Sequence, residues 1–153
     1  MIEALYTIGY ERADLNNFID TLKNADVDLL LDVRAAPHSR RPGFSKRELA
    51  RALEEAGMAY HHEGELGVPK PLRDKVRSDG DYDDFFDQYA RLLEGREQLM
   101  RDLAQSLDGS VALMCYERDH HICHRWMAAD RLAFLTGLEP KHLQTGIPDR
   151  EQE

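Results

Sequence analysis

A chain of 153 residues with 42% hydrophobic and 32% charged residues has the composition of one globular domain and not of a disordered segment. It contains no apolar run near the roughly 18 residues needed to cross a bilayer, and its first residues lack the basic and apolar parts of a secretory signal. We therefore expect a single cytoplasmic domain over residues 1–153, with no membrane partner and with a charged, frayed tail at about 149–153.

The charge balance and the cysteine content limit the partners. The net charge of −9 disfavours nucleic acid, although one basic cluster opposes this trend. The members of that cluster are Arg34, Arg40, Arg41, Lys46 and Arg47. Because the cytosol keeps thiols reduced, no structural disulfide is expected between Cys115 and Cys123.

The first third of the chain has the hydrophobic pattern of a β-α-β unit. Residues 4–8 have the composition of a strand that ends at Gly9, and apolar side chains recur at helical spacing over residues 15–22. Residues 28–33 contain an unbroken apolar run, which is typical of a strand covered on both faces. This order predicts a parallel sheet.

Capping and turn residues indicate a second helix. Ser45 and Glu48 have the spacing of a capping box, and Gly57 is suited to end the helix that begins there. Residues 58–62 predict a short strand, and residues 63–71 predict an irregular loop.

The second half of the chain continues the alternation of helices and strands. A long helix begins at Asp81, with Gly95 as a point where it can break or bend, and residues 111–114 form a second uniformly apolar strand. A helix over residues 123–137 and a short strand at 141–144 follow. We predict an α/β fold, a three-layer sandwich with a mostly parallel central sheet flanked by helices.

Ligands of open parallel α/β sheets bind beyond the carboxyl ends of the strands. The polar or small residues at those ends come from separate parts of the chain and are expected to converge in space. They are Gly9, Asp32, Arg34, His61, His62, Cys115 and Glu117.

Cys115 closes a predicted strand and is followed by a polar loop and a helix, which is a layout that nucleophilic thiols use. Backbone N–H groups of the loop and the helix N-terminus are expected to lower the thiol pKa. In this hypothesis Arg125 binds an anionic substrate or stabilises the thiolate, and Glu117 or His124 transfers protons. The alternative is that Cys115 is an inert buried thiol.

Asp32 and Arg34 lie on one side of their strand because Val33 separates them. They either form an ion pair that ends a buried strand, or Asp32 orients Arg34 so that the guanidinium binds a phosphate, sulfate or carboxylate. Arg40 and Gly9 complete the predicted ligand-binding set, and the expected partner is a small anionic ligand.

Three function hypotheses remain open from these residues. The first is an enzyme that uses Cys115 as a thiolate on a small anionic or nucleotide-like substrate, without a cofactor or metal. The second is a binding module that recognises an anion or nucleic acid without chemistry. The third is a metal-dependent hydrolase that uses Cys123, His124 and a distant histidine, His61 or His62.

As a set, these residues resemble the family catalogued as domain of unknown function 488. The matching segments are Thr7-Ile8-Gly9, Asp32-Val33-Arg34 with Pro37, Ser39 and Arg40, Gly43-Phe44-Ser45, Tyr60 with Leu66-Gly67, and Cys115-Tyr116-Glu117 with Cys123-His124-Arg125. The resemblance implies a three-layer α/β domain with a shared cluster of these residues, and it implies no substrate. Residues 30–34 are also similar to the rhodanese strand before its substrate loop, although the spacing after Cys115 differs, so sulfur transfer is an analogy.

Overall fold

The computed structural model describes residues 1–146 of the chain. The frayed tail predicted at about 149–153 lies outside the described residues. Among residues 1–146, no helix is both long and apolar enough to cross a membrane.

A sheet of five parallel strands forms the middle layer, in the order β3-β2-β4-β1-β5. The strands are β1 (Ile2–Gly9), β2 (Leu29–Asp32), β3 (Ala59–His62), β4 (Gly109–Cys115) and β5 (Pro140–Leu143). The apolar residues 111–114 of β4 are fully buried because β4 is the central strand and helices cover both faces of the sheet. The predicted parallel sheet is confirmed, and every strand pair in it is parallel.

Six helices form the two outer layers. They are α1 (Leu15–Asn24), α2 (Lys46–Glu55), α3 (Lys70–Asp79), α4 (Tyr82–Glu94), α5 (Glu97–Ser106) and α6 (Arg125–Thr136). Helices α1 and α2 pack in one hydrophobic cluster that includes Phe18 and Phe44, and α3 to α6 pack in a second cluster that includes Tyr89. The predicted three-layer α/β sandwich is therefore confirmed.

The beginning of α2 differs from the predicted capping box. Ser45 is the residue before the helix, but its hydroxyl bonds the backbone of Ser39 and does not cap a helical N–H. Glu48 accepts from the N–H of Gly43 at 3.0 Å. Both side chains hold the preceding loop in place, so the box prediction is wrong although the helix position is right.

Helix α3 has no counterpart in the predicted elements. Only Val76 of its ten residues is buried, so α3 lacks the apolar stripe by which the other helices are recognised. Pro71 in its first turn and Gly80 at its end, with a φ of 66°, are local signals that fit a helix there. The long helix predicted from Asp81 breaks at Gly95 into α4 and α5.

The connections between strands create a crevice at one edge of the sheet. After β1 and β2 the chain passes to α1 and α2 on one face, whereas after β4 it passes to α6 on the other face. Since β4 lies between β2 and β1, the chain divides beyond the carboxyl ends of these three strands. Open α/β sheets bind ligands at such a division.

Candidate functional site

A cavity of about 570 Å³ opens beyond the carboxyl ends of β1, β2 and β4. Tyr10, Arg34 and Cys115 line it from the ends of these strands, and Arg34 and Cys115 are among the residues predicted at those ends. The charged lining consists of five arginines and one carboxylate, namely Arg34, Arg40, Arg41, Arg73, Arg77 and Glu117. The cavity is therefore a basic pocket in a chain whose net charge is −9.

Cys115 and Cys123 form a disulfide in the structure, so the expectation of two separate reduced thiols is wrong for this state. Cys115 ends β4, and the loop after it returns so that Cys123, two residues before α6, lies next to it. Both residues are only 1% exposed. A sequence separation of eight gave no hint of this pairing, because it depends on how the loop turns back over the end of the strand.

Arg125, the first residue of α6, is fully buried beside this cysteine. Its Nη1 lies 3.3 Å from Cys115 Sγ and also donates to the carbonyl of Glu117, and its Nη2 donates to the carbonyl of Arg118 at 3.3 Å. No carboxylate of residues 1–146 pairs with this guanidinium, and its Nε has no hydrogen-bond partner. Burial lowers the pKa of Arg125 to about 10, so the group is still charged at neutral pH.

Gly9 lies opposite Cys115 in the pairing of β1 with β4. A Cβ at this position would overlap the Glu117 carbonyl and lie 2.9 Å from Arg125 Nη1. Glycine is thus required because the loop after β4 and the Arg125 guanidinium both pack directly on the backbone of β1. This contact explains Gly9 by packing, and its predicted contact with a ligand stays a prediction.

Glu117 lies close to the same sulfur. Its Oε2 is 3.5 Å from Cys115 Sγ, and its side chain is half-buried at the wall of the cavity. Burial raises the pKa of Glu117, while the charge of Arg125 opposes this rise. A carboxyl group with a raised pKa holds its proton over a wider pH range, which suits a proton donor.

Two backbone N–H groups of the loop are already bound within the protein, and the predicted effect of the loop and the helix N-terminus on the thiol stays a prediction. The N–H of Arg118 donates to the carboxylate of Glu11 at 3.0 Å, and the N–H of His121 donates to the carboxylate of Asp119 at 2.9 Å. These two N–H groups are therefore not available to a negative charge on Cys115, whereas the Arg125 guanidinium contacts its sulfur.

Asp32 and Arg34 form a buried, two-pronged ion pair at the end of β2. Arg34 Nε donates to Asp32 Oδ1 at 2.9 Å and Nη2 donates to Oδ2 at 2.7 Å, while Tyr60 donates its hydroxyl to Oδ2 at 2.6 Å. Burial by itself would lower the pKa of Arg34, but the hydrogen bonds and charge of Asp32 outweigh it and raise the pKa. Asp32 is fully buried and does not line the cavity, so it acts on the pocket through Arg34.

Most of the donors of Arg34 are already bound by the protein. Nη1 donates to the carbonyl of Phe44 at 2.7 Å and to the hydroxyl of Tyr10 at 3.3 Å. With the two bonds to Asp32, four of the five guanidinium N–H groups are used. Arg34 lines the cavity with one N–H left, whereas Arg40 lines it from an exposed position on the loop. Direct ligand binding by either arginine stays a prediction.

His124 contacts both Cys123 and the residue after β2, and so connects two parts of the site. Its Nε2 donates to the carbonyl of Val33 at 3.0 Å, and its Nδ1 lies 3.7 Å from Cys123 Sγ. Burial lowers the pKa of His124 to about 4, so its ring is neutral at pH 7. Because a carbonyl only accepts, Nε2 carries the ring proton and Nδ1 offers its lone pair to Cys123.

The predicted metal site with a distant histidine is not assembled. Potential ligand atoms of Cys115, Cys123 and His124 lie within 4.8 Å of one another, but neither His61 nor His62 belongs to this group. His62 Nε2 donates to the carbonyl of Arg34, and His61 Nε2 lies beside Glu63. In the disulfide, moreover, neither sulfur is a thiolate, which is the form that binds metals.

Arg73 and Arg77 line the pocket but are absent from the site predicted from the sequence. They are four positions apart on α3 and so share one face of the helix, and both line the cavity. The Nε of Arg73 is buried without a hydrogen-bond partner. Their spacing was visible in the sequence, but without a prediction of α3 nothing connected them to the ends of the strands.

Comparison with known proteins gives a family and no closer relative. A family model described as "Domain of unknown function DUF488" matches residues 14–132, which contain Asp32, Arg34, Cys115, Glu117 and Arg125. Searches of curated proteins and of solved structures found no match.

Proposed function

The chain belongs to the DUF488 family, whose description specifies no activity, and we therefore propose from the geometry of the site that it is a cysteine-dependent enzyme acting on a small anionic substrate. In this proposal Cys115, once reduced, is the nucleophile. The observation that supports it most strongly is the buried Arg125 guanidinium, with Nη1 3.3 Å from Cys115 Sγ and no carboxylate partner among residues 1–146.

Charge balance explains why this arrangement favours a thiolate. A buried charge without a counter-charge costs several kcal/mol in general, and proteins compensate such charges with a paired group. Cys115 is the group in direct contact with Arg125 that becomes anionic by losing a proton, whereas the carboxylates of Glu117 and Asp119 act on Arg125 from farther away. The pKa of its thiol is therefore expected to lie below the ordinary value of about 8.5, which supplies the reactive thiolate at neutral pH.

The basic pocket supplies the place for the substrate. Arginines approach the cavity from the loop after β2 and from α3, so a small anion beside Cys115 has cationic groups on two sides. The negative net charge of the whole chain repels a long polyanion, whereas a cavity of about 570 Å³ admits a small one. This combination favours a small anionic substrate over nucleic acid.

Glu117 lies where it can donate a proton to the leaving group. Its Oε2 lies 3.5 Å from Cys115 Sγ, and burial raises the pKa of its carboxyl group. It donates a proton to the group that leaves when Cys115 attacks. Proton transfer of this kind contributes about 10²- to 10⁴-fold to rates in enzymes.

Thiosulfate is a suitable probe for the sulfur-transfer version of this chemistry. The Cys115 thiolate attacks the outer sulfur of thiosulfate, the sulfur–sulfur bond of thiosulfate breaks, and sulfite leaves with the bonding electrons. The cysteine then holds a persulfide. Each substrate and leaving group in this step is an anion that the arginines can bind.

The test uses reduced, full-length protein and measures sulfite release from thiosulfate, cysteine release from cysteine persulfide, and p-nitrophenolate release from p-nitrophenyl phosphate. We expect Cys115→Ser to lose turnover with every donor that the wild type uses, while inorganic sulfate still binds in calorimetry. Turnover by Cys115→Ser equal to that of the wild type would disprove the nucleophile. Thermal unfolding of both proteins checks that the variant is folded.

The second candidate is an anion-binding module without chemistry. It is favoured by the disulfide, because in that state Cys115 has no thiol to react. This candidate predicts that thiosulfate and sulfate bind equally to the oxidised and reduced protein and that neither is turned over. If an RNA or DNA oligonucleotide were the ligand instead, its affinity would fall steeply with rising salt.

A further inference from the structure

Cys123 has no part in the proposed nucleophilic step, yet it is buried in a defined position next to Cys115. It is 1% exposed, lies two residues before the start of α6, and its sulfur is bonded to that of Cys115. A thiol so close to a nucleophilic cysteine can attack whatever covalent group that cysteine carries. Its position therefore suggests a function in the step after substrate attack.

His124 gives Cys123 a proton acceptor of its own. Nε2 of His124 is committed as a donor to Val33, so the unprotonated Nδ1 faces Cys123 Sγ at 3.7 Å. Cys115, by contrast, contacts Arg125 and Glu117. The two thiols thus differ in their partners: Cys115 lies against a fixed positive charge, and Cys123 lies against a neutral base.

We propose that Cys123 is the resolving thiol, which attacks the persulfide on Cys115 and releases sulfide, leaving the disulfide seen in the structure. This inference rests on the proposed function and specifies its second half-reaction. The substrate class is an anion that carries a sulfane sulfur. His124 is the group that takes the proton from Cys123.

The reaction balances without an external oxidant. In the first step the Cys115 thiolate and thiosulfate give the Cys115 persulfide and sulfite. In the second step a bond forms between the sulfurs of Cys123 and Cys115, and the bond from Cys115 to the sulfane sulfur breaks. The sulfane sulfur gains two electrons and, with the proton from Cys123, leaves as hydrosulfide. The two cysteines are oxidised to the disulfide, so a dithiol reductant must restore them before the next turnover.

This cycle also accounts for a disulfide in a chain expected to be cytoplasmic. Disulfides in the cytosol are typically transient and catalytic and not structural. The oxidised pair is then the product state of the cycle, and the reduced pair is the state that binds substrate.

The experiment follows both products in a single turnover. Wild type, Cys123→Ser and Cys115→Ser are reduced, freed of reductant, mixed with excess thiosulfate, and assayed for sulfite, sulfide and intact mass. We expect the wild type to release sulfite and sulfide in equal amounts and to lose the mass of two hydrogens. Cys123→Ser should release sulfite only and gain the mass of one sulfur, and Cys115→Ser should release neither product.

The outcomes separate the inference from the function on which it rests. Sulfide release by Cys123→Ser at the wild-type rate, or a wild type that stops at the persulfide mass, would overturn the resolving thiol and leave the nucleophile intact. Absence of sulfite from both the wild type and Cys123→Ser would overturn the proposed sulfur transfer itself. Cys123→Ala is the second variant if the serine is poorly accommodated.

His124→Gln tests the proton acceptor separately. Sulfide release should slow by about 10²- to 10⁴-fold, the typical contribution of a general base, while sulfite release keeps its rate. In the wild type, the rate of sulfide release should decline as the pH falls toward the His124 pKa of about 4. His124→Gln should not show this decline. An equal slowing of both products would assign His124 to packing alone.

Discussion

Two buried arginines, one at the end of β2 and one beside the end of β4, are held in opposite ways. Arg34 has a carboxylate partner in Asp32, with donor distances of 2.9 and 2.7 Å, and this pairing raises its pKa. Arg125 is more deeply buried, has no carboxylate partner among residues 1–146, and burial lowers its pKa to about 10. Arg34 is thus compensated by a carboxylate in direct contact, whereas Arg125 is uncompensated in this sense, because the charges of Glu117 and Asp119 reach it only from a longer distance.

The contrast distinguishes the Arg34 guanidinium, whose charge is bound within the fold, from the Arg125 guanidinium, whose charge is available to a reacting group. A guanidinium whose donors meet a fixed carboxylate organises the loop after β2 and is largely saturated. A guanidinium that meets a sulfur instead can stabilise a negative charge that appears only when Cys115 is reduced and deprotonated. We infer that the β2 end positions the pocket and that the β4 end performs the chemistry.

Removal of the carboxylate from the compensated side should have the largest effect on stability. Asp32→Asn leaves Arg34 buried without its counter-charge, and breaking a buried pair in this way costs about 3–5 kcal/mol of unfolding free energy. Urea unfolding measures the loss. The matched control is Asp87→Asn on the exposed face of α4, which should change little. A loss below about 1 kcal/mol for Asp32→Asn would show that the pair contributes little.

His124 connects the two ends, since it lies on the β4 side and donates to Val33 on the β2 side. Its folded pKa of about 4 is below the ordinary 6.5, so folding favours the neutral ring. This contribution is complete above pH 6.5 and is lost as the pH falls through about 4. The loss should reach about 3 kcal/mol, and His124→Gln should reduce it, as measured by urea unfolding between pH 7 and 4.

Glu117 works against that acid dependence, because its pKa is raised and it stabilises the fold as the pH falls. The difference between wild type and His124→Gln cancels this shared contribution. His61→Gln, a replacement of an exposed histidine, serves as the control. Equal acid sensitivity of His124→Gln and the wild type would contradict the buried neutral ring.

Gly9→Ala tests the close packing on the uncompensated side. The added methyl group overlaps the Glu117 carbonyl and approaches Arg125, and such overpacking costs about 1–3 kcal/mol. Gly95→Ala is the control, because an added Cβ would lie 3.4 Å from the Leu92 carbonyl oxygen, an ordinary contact, and the Gly95 φ of −73° suits alanine. Thermal unfolding of the two variants should therefore differ clearly, and equal stabilities would contradict the packing of the loop on β1.

Tyr60→Phe should have the smallest effect on stability, and it tests how much the tyrosine contributes on the compensated side. It removes one hydrogen bond to Asp32 of 2.6 Å but leaves the ion pair with Arg34. The expected loss is about 1 kcal/mol, clearly less than for Asp32→Asn. A loss as large as that of Asp32→Asn would mean that the tyrosine and not the ion pair holds the end of β2.

The sheet and the position of the site follow from local sequence patterns, whereas the contacts inside the site do not. The apolar runs at residues 28–33 and 111–114 identify the central strands, and the polar residues after them identify the pocket edge. The pairing of Cys115 with Cys123 depends on the path of one loop, which has no periodic signal. Helix α3, with Val76 as its one buried residue, has too little apolar pattern to be recognised.

The most direct test of the central claim is the pH dependence of Cys115 alkylation by iodoacetamide in reduced Cys123→Ala, with and without Arg125→Gln. We expect an apparent thiol pKa well below the ordinary value of about 8.5, and a rise toward that value when Arg125 is replaced. Circular dichroism confirms that both proteins are folded. A pKa near about 8.5 in both proteins would contradict activation of Cys115 by Arg125.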